Sequence, residues 1–171
     1  YDALAAFGVG ISLGLSPAQA AQALADYVPA GMRQRVVEYK GMTFVEDCYN
    51  ASPDSMEAAL HTMEQMACNG RKIAVFSDML ELGDIAQESH RQVGLMAAQS
   101  GVDVLLAYGP LSKGYLQGAQ EGGLAQALWF EDRDSLVRHL QEQLKPGDLV
   151  WFKASRGMQM ERVIEQLRAH I

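Results

Sequence analysis

Residues 72–108 read KIAVFSDMLELGDIAQESHRQVGLMAAQSGVDVLLAY: an apolar run, a polar loop, a helical stretch and a second apolar run. The two runs, residues 72–76 and 102–108, are apolar apart from Lys72 and Asp103, as strands covered on both faces are. Residues 85–100 between them have helical periodicity, and Gly101 stands where a helix closes in a left-handed residue. Strand, crossover helix and strand in that order predict a parallel pair.

The alternation continues in both directions. Toward the C-terminus, residues 109–123 (GPLSKGYLQGAQEGG) read as a weaker helix because of their glycines, and ALWF at 127–130 as a short strand. Residues 132–144 predict a helix capped by Asp132 or Asp134. Pro146-Gly147-Asp148 then turns into a strand at 149–153, and a last helix starts near Arg156. Toward the N-terminus, residues 53–68 predict a helix ended by Asn69-Gly70, and RVVEYKGMTFVED at 35–47 a hairpin turning at Lys40-Gly41. Before it, Pro29-Ala30-Gly31 reads as a linker. Residues 2–13 predict a helix closed by Gly14, and Ser16-Pro17 opens a second that runs to about Asp26. The expected fold is α/β: a Rossmann-like, mostly parallel sheet with an N-terminal antiparallel hairpin, preceded by two helices.

The chain of 171 residues, 49% hydrophobic and 20% charged, is long enough to bury a core without staples. Its net charge of −7, from 14 basic and 21 acidic residues, argues against recognition of a nucleic-acid backbone. Cys48 and Cys68 form neither a metal-type pair nor a disulfide framework, so a reducing cytoplasm is expected. The opening YDALAAFGVGISLGL is apolar but short of the ~20 residues of a membrane span. It starts inside a helical pattern with no methionine, so the chain is expected to be an excised fragment.

In open parallel sheets ligands gather at the carboxyl ends of the strands. That rule selects loops 46–55, 77–84 and 153–157, each with a structural reading beside a functional one. In EDCYNASPDS, Ser52 or Asp54 is a helix cap and Pro53 a first-turn residue, which leaves Asp47, Tyr49 and Asn50 unexplained. A tyrosine face and an asparagine amide beside a helix N-terminus suit a nucleoside and its phosphates. In SDMLELGD, Asp78, Glu81 and Asp84 suit a cation or an ammonium group, or else Asp84 merely caps the helix that follows. His90 in that helix reads more readily as structural. In KASRG, Lys153, Ser155 and Arg156 suit a phosphate or carboxylate, or else Ser155 is a plain cap and Lys153 is solvated. The sequence contains no GxxxxGK(S/T), GxGxxG, HExxH or GxSxG motif.

Taken together, GMR at 31–33, DCYNASPDSM at 47–56, SDMLELGD at 77–84 with HRQVG at 90–94, and KASRGMQMERVI at 153–164 resemble the Mur ligase family. The resemblance is to its D-alanyl-D-alanine-adding members, whose versions look like DxYNANPxSM, GDMLELG, HxxVG and KGSRxxxME. Ser52, Ser77 and Ala154 depart from the family's Asn, Gly and Gly; Ala154 is expected to be strained if that site needs a positive φ.

The resemblance implies the following. Residues 1–30 are the last helices of a central ATPase domain and residues 31–171 the family's C-terminal domain. The whole enzyme joins UDP-MurNAc-tripeptide to D-Ala-D-Ala in cytoplasmic peptidoglycan synthesis, using ATP and Mg²⁺ and passing through an acyl phosphate. It is a monomer without a membrane span or nucleic-acid partner. The P-loop and the magnesium ligands belong to the central domain, so no metal ligand is expected in this chain and the chain alone is expected to be inactive. Arg33 is assigned to the ATP phosphates, with Asp47, Tyr49 and Asn50 on the ribose and base side. Lys153, Ser155 and Arg156 are assigned to the substrate carboxylate or acyl phosphate, Lys153 sharing a catalytic role with Arg33. Asp78 and Glu81 are assigned to the incoming ammonium group. Two alternatives remain: another ligase of the superfamily, of folate-polyglutamate or cyanophycin type, and a nucleotide-binding module without ligase activity.

Overall fold

A computed structural model describes residues 2–28 and 31–170. The chain divides into two compact units, Tyr1–Ala30 and Gly31–Ile171. Pro29 and Ala30 of the expected linker lie outside the described residues.

The first unit is a helical hairpin. Helix α1, Asp2–Ser12, is closed by Gly14 at φ +93, and α2, Pro17–Ala25, follows. Ser16 caps α2 reciprocally: its hydroxyl accepts the Gln19 N–H at 3.3 Å, while its own N–H donates to Gln19 Oε1 at 3.0 Å.

The second unit is one six-stranded sheet with helices on both faces. Its strands are β1 Arg35–Tyr39, β2 Met42–Asp47, β3 Lys72–Ser77, β4 Val104–Tyr108, β5 Ala127–Phe130 and β6 Leu149–Lys153. Its helices are α3 Pro53–Gln65, α4 Ala86–Gln99, α5 Lys113–Glu121, α6 Arg133–Gln143 and α7 Met160–His170. The order across the sheet is β1-β2-β6-β3-β4-β5. Only the β1–β2 pair is antiparallel. Lys40 and Gly41, at φ 50 and 77, make the two-residue hairpin turn whose twist matches the strands it joins.

The two-residue period of the strands divides the core. Val45, Ala74, Phe76, Leu105, Ala107, Leu149 and Trp151 face α3, α4 and α5. Phe44, Ile73, Val75, Val104, Leu106, Val150 and Phe152 face α6 and α7. Continuous apolar strands are therefore buried on both faces, as their sequence predicts. Strand β6 is inserted between β2 and β3, so three strand ends far apart in sequence become neighbours.

Three local expectations are corrected. Helix α3 ends at Gln65 and not at 68, because the chain must turn to meet the 146–148 turn. Met66 leaves the helix at ψ 134, the Gly70 N–H donates to the Gly147 carbonyl at 3.0 Å, and a Cβ on Gly70 would lie 2.7 Å from the Gly147 backbone. Asp84 does not cap α4: it lies inside a short 3₁₀ turn, Gly83–Ile85, and the α4 N-cap position, Ile85, makes no side-chain cap bond. The last helix starts at Met160, after a separate 3₁₀ turn, Arg156–Met158.

Beneath the opposite edge of the sheet, buried Asp148 accepts from Arg71 Nη2 at 2.6 Å, Nε at 3.2 Å and N–H at 3.1 Å, and from the Lys145 N–H at 2.9 Å. Despite its burial, these donors hold its carboxyl below the usual range. In the sequence, Asp148 is marked only as part of the Pro146-Gly147-Asp148 turn.

Candidate functional site

Strands β2, β6 and β3 end side by side, with Asp47 opposite Lys153 and Phe76 also opposite Lys153. The loops selected from sequence, 46–55, 153–157 and 77–84, therefore form one continuous edge. The loop after β4, residues 109–112, joins them; Gly109-Pro110 follows a strand end by the same rule and is the signal in the sequence that finds it.

At one end of this edge the Arg33 guanidinium lies over the Tyr49 ring, its central carbon 3.9 Å from the ring centroid. Both side chains are exposed, Tyr49 to 46%. The Cys48 N–H donates to the Met32 carbonyl at 2.9 Å and ties the Arg33 segment to the Tyr49 loop. Exposed Asn50 folds its side-chain oxygen onto the Ala51 N–H at 2.9 Å. Ser52 is the N-cap residue of α3, and its N–H donates to Ser55 Oγ at 2.9 Å.

Lys153 is not solvated. Its ammonium is buried and donates to Asp47 Oδ2 at 2.8 Å and to the Asn50 carbonyl at 3.1 Å. Two residues assigned from sequence to different ligand groups thus meet each other. Ser155 is not a plain cap either: its hydroxyl accepts the Leu80 N–H at 2.9 Å and its N–H donates to the Asp78 carbonyl at 3.2 Å. Ala154 is fully buried and absent from the positive-φ positions, so replacing the family's glycine introduces no backbone strain. Arg156 is exposed, 3.8 Å from Glu161 Oε1.

Asp78 is turned inward. One carboxylate oxygen accepts the Ser112 N–H at 2.7 Å and the other the Leu111 N–H at 3.3 Å, which pins the 109–112 loop to the 77–84 loop. Burial pushes its carboxyl above the usual value in spite of these donors. Glu81 is exposed and sits at φ 65, in left-handed backbone. The assignment of Asp78 and Glu81 to one ammonium group therefore divides: one carboxylate is a loop clamp and the other faces solvent.

Buried His90 fixes the same loop from below. Its Nε2 lies 3.0 Å from the Met79 N–H, which must donate, and its Nδ1 lies 2.6 Å from the Ala86 carbonyl. This pattern requires the neutral ring with the proton on Nδ1. Burial lowers its pKa, against opposing contributions from the Ala86 hydrogen bond and the Asp78 charge. Folded His90 therefore resists protonation, and its contribution to stability is complete above 6.5 and lost as pH falls from there through the depressed folded value. Protonation would leave the Met79 N–H without its acceptor, at roughly 1–3 kcal/mol. The expected result is a denaturant midpoint that falls below pH 6.5, with a shallower fall in His90→Gln, which keeps an acceptor without a titrating ring. Equal slopes in wild type and variant would contradict this role.

Cys48 is buried with its thiol 3.4 Å from the Phe152 carbonyl, and burial drives its pKa strongly upward. It is a packing group, not a nucleophile.

The profile of the Mur ligase, glutamate ligase domain, family matches residues 32–156. The UDP-N-acetylmuramoyl-tripeptide–D-alanyl-D-alanine ligases of Bacillus subtilis and Treponema pallidum are 33% and 34% identical, over 97% and 98% of this chain. The match covers 37% and 36% of those relatives, so the chain spans little more than a third of their length. Among solved structures, a MurF ligase from Thermotoga maritima in complex with ADP superposes with a TM-score of 0.80 at 27% identity, covering 96% of this chain and 36% of that one. MurF from Acinetobacter baumannii superposes with a TM-score of 0.83 at 28% identity, covering 98% and 36%. On its fold, its matched residues and these relatives, the chain belongs to the Mur ligase family.

Proposed function

We propose that this chain is the C-terminal part of an ATP-dependent amide ligase that joins D-Ala-D-Ala to UDP-MurNAc-tripeptide in the cytoplasm during peptidoglycan synthesis. Residues 1–30 belong to the end of its central ATPase domain, and the P-loop and the Mg²⁺ ligands lie in sequence outside this chain. The enzyme acts as a monomer on small-molecule substrates. The observation that carries this reading is the Arg33–Tyr49 stack on the carboxyl edge, in a chain one third identical to ligases of that name.

The residues fit a nucleotide. Arg33 packs one guanidinium face on Tyr49, and its N–H edge suits phosphate oxygens; Asn50, the exposed residue after Tyr49, suits the ribose or base. ATP is a substrate that phosphorylates the tripeptide carboxylate, and Mg²⁺ supplies charge neutralisation when bound. Arg33 adds a fixed cation where charge develops during transfer. Closure of this domain over the ATPase domain excludes water from the activated carboxyl group, so the amine of the dipeptide attacks it in preference to hydrolysis. Arg156 and Glu81, both exposed on the same edge, are the remaining candidates for the substrate carboxylate and the incoming ammonium.

The test is phosphate release with ATP, UDP-MurNAc-tripeptide and an amine panel. The full-length ligase is expected to release phosphate with D-Ala-D-Ala, but not when D-glutamate, diaminopimelate or L-glutamate replaces it. The 171-residue chain alone is expected to release none. Release by the isolated chain, or a preference for another amine, would overturn the reading.

A further inference from the structure

The loop carrying Tyr49 is fastened on one side by buried Cys48 and on the other by buried Lys153. The Cys48 N–H is held by the Met32 carbonyl and the Cys48 thiol by the Phe152 carbonyl. Two residues on, the Asn50 carbonyl is held by the Lys153 ammonium, which also grips Asp47. Tyr49 lies between these anchors with Arg33 over its ring. The Lys153 side chain is 3% exposed and that of Asp47 10%, so an opposite-charge pair stands at the root of the nucleotide-facing platform.

We propose that Lys153 is a positioning residue: through Asp47 and the Asn50 carbonyl it holds the Tyr49 ring under Arg33, and it does not itself grip the reacting phosphoryl or carboxyl group. The functional part of this inference rests on the ligase reading above. A lysine that neutralises a transferring group must present its ammonium to it. Here two of its three donors are committed to protein oxygens, and the side chain is enclosed. The parallel register explains the pairing. Asp47 and Lys153 are partners at the ends of adjacent strands, so any movement of one is felt by the other and by the loop that follows.

The experiment has two arms. In the full-length ligase, Lys153→Met and Asp47→Asn are each expected to raise the ATP KM by about tenfold or more while kcat at saturating ATP stays within a few-fold. The double variant is expected to be no worse than the more affected single variant, because the pair acts as one unit. In the 171-residue chain, NMR is expected to show Arg33 side-chain protons shifted by the Tyr49 ring current, and both variants are expected to return those shifts toward free-arginine values. Should Lys153→Met fail to fold, Asp47→Asn carries the test, since it keeps the side-chain shape and removes the negative charge that holds the Lys153 ammonium. Unmoved Arg33 shifts in Asp47→Asn would overturn the proposal. So would a hundredfold loss of kcat in Lys153→Met at an unchanged ATP KM. Absence of dipeptide-dependent activity in the full-length protein would instead remove the ligase reading, and the NMR arm would still decide the role of Lys153.

Discussion

Gly118→Ala is expected to destabilise the protein by about 3 kcal/mol or more, against the ~1 kcal/mol that alanine ordinarily adds inside a helix. A Cβ at Gly118 would lie 1.8 Å from the Arg91 carbonyl oxygen and 2.6 Å from the Leu95 nitrogen. Facing it, a Cβ at Gly94 would lie 2.0 Å from the Tyr115 oxygen. These are backbone atoms of α4 and α5, so no side chain can swing aside, and the helices must separate. Separation reaches the site, because buried Tyr115 donates its hydroxyl to the Ser77 carbonyl at 3.0 Å and packs 4.7 Å from the His90 ring. A melting experiment should show Tm lower by roughly 6–12 °C in Gly118→Ala. The contrasting variant is Gly8→Ala in α1, where an added Cβ meets nothing within 4 Å and stability should hold or rise. An unchanged or higher Tm in Gly118→Ala would contradict the backbone contact between α4 and α5.

The same glycines show what could be read from sequence and what could not. Read along the chain, the glycines of 109–123 weaken a helix. In the fold, Gly114, Gly118 and Gly122 recur every four residues on the side of α5 that touches α4. Propensity is local, and the helix partner that reverses its meaning is not. The strands were legible because their apolar runs are short and bounded by turn residues: 127–130 and 149–153 match β5 and β6, and the Lys40-Gly41 turn has the positive φ values its type requires. The end of α3 was not legible, because it is set by a close approach to Gly147 far along the chain.

The candidate site follows the same division. Which loops form it could be read, since strand ends in a parallel sheet are a topological consequence of alternating strands and helices. What each polar residue does there could not. Lys153 and Asp47 lie 106 positions apart in sequence and meet only because β6 enters between β2 and β3. Asp78 looked available for an ammonium group until the 109–112 loop brought two N–H donors onto it. Ser155 looked like a cap until the Leu80 N–H reached its hydroxyl. In each case the sequence carried the donor or acceptor but not its partner.

Arg33 is where the functional account is most exposed to test. Its guanidinium is stacked on Tyr49 at the surface, and Arg33 is not among the residues with an acidic partner in the ion pairs of the described residues. Removing it should therefore cost the fold little, within about 0.5 kcal/mol for an exposed position. If it supplies a fixed cation to the phosphates of ATP, removing it should cost the reaction far more. Loss of one such electrostatic contact is worth roughly 10²–10³ in rate. The decisive measurement is D-Ala-D-Ala-dependent phosphate release by the full-length ligase carrying Arg33→Ala, beside its thermal unfolding. The predicted result is a fall in kcat/KM for ATP of roughly 10²–10³ at an almost unchanged Tm. Wild-type kinetics in that variant would remove Arg33 from the nucleotide and contradict the account.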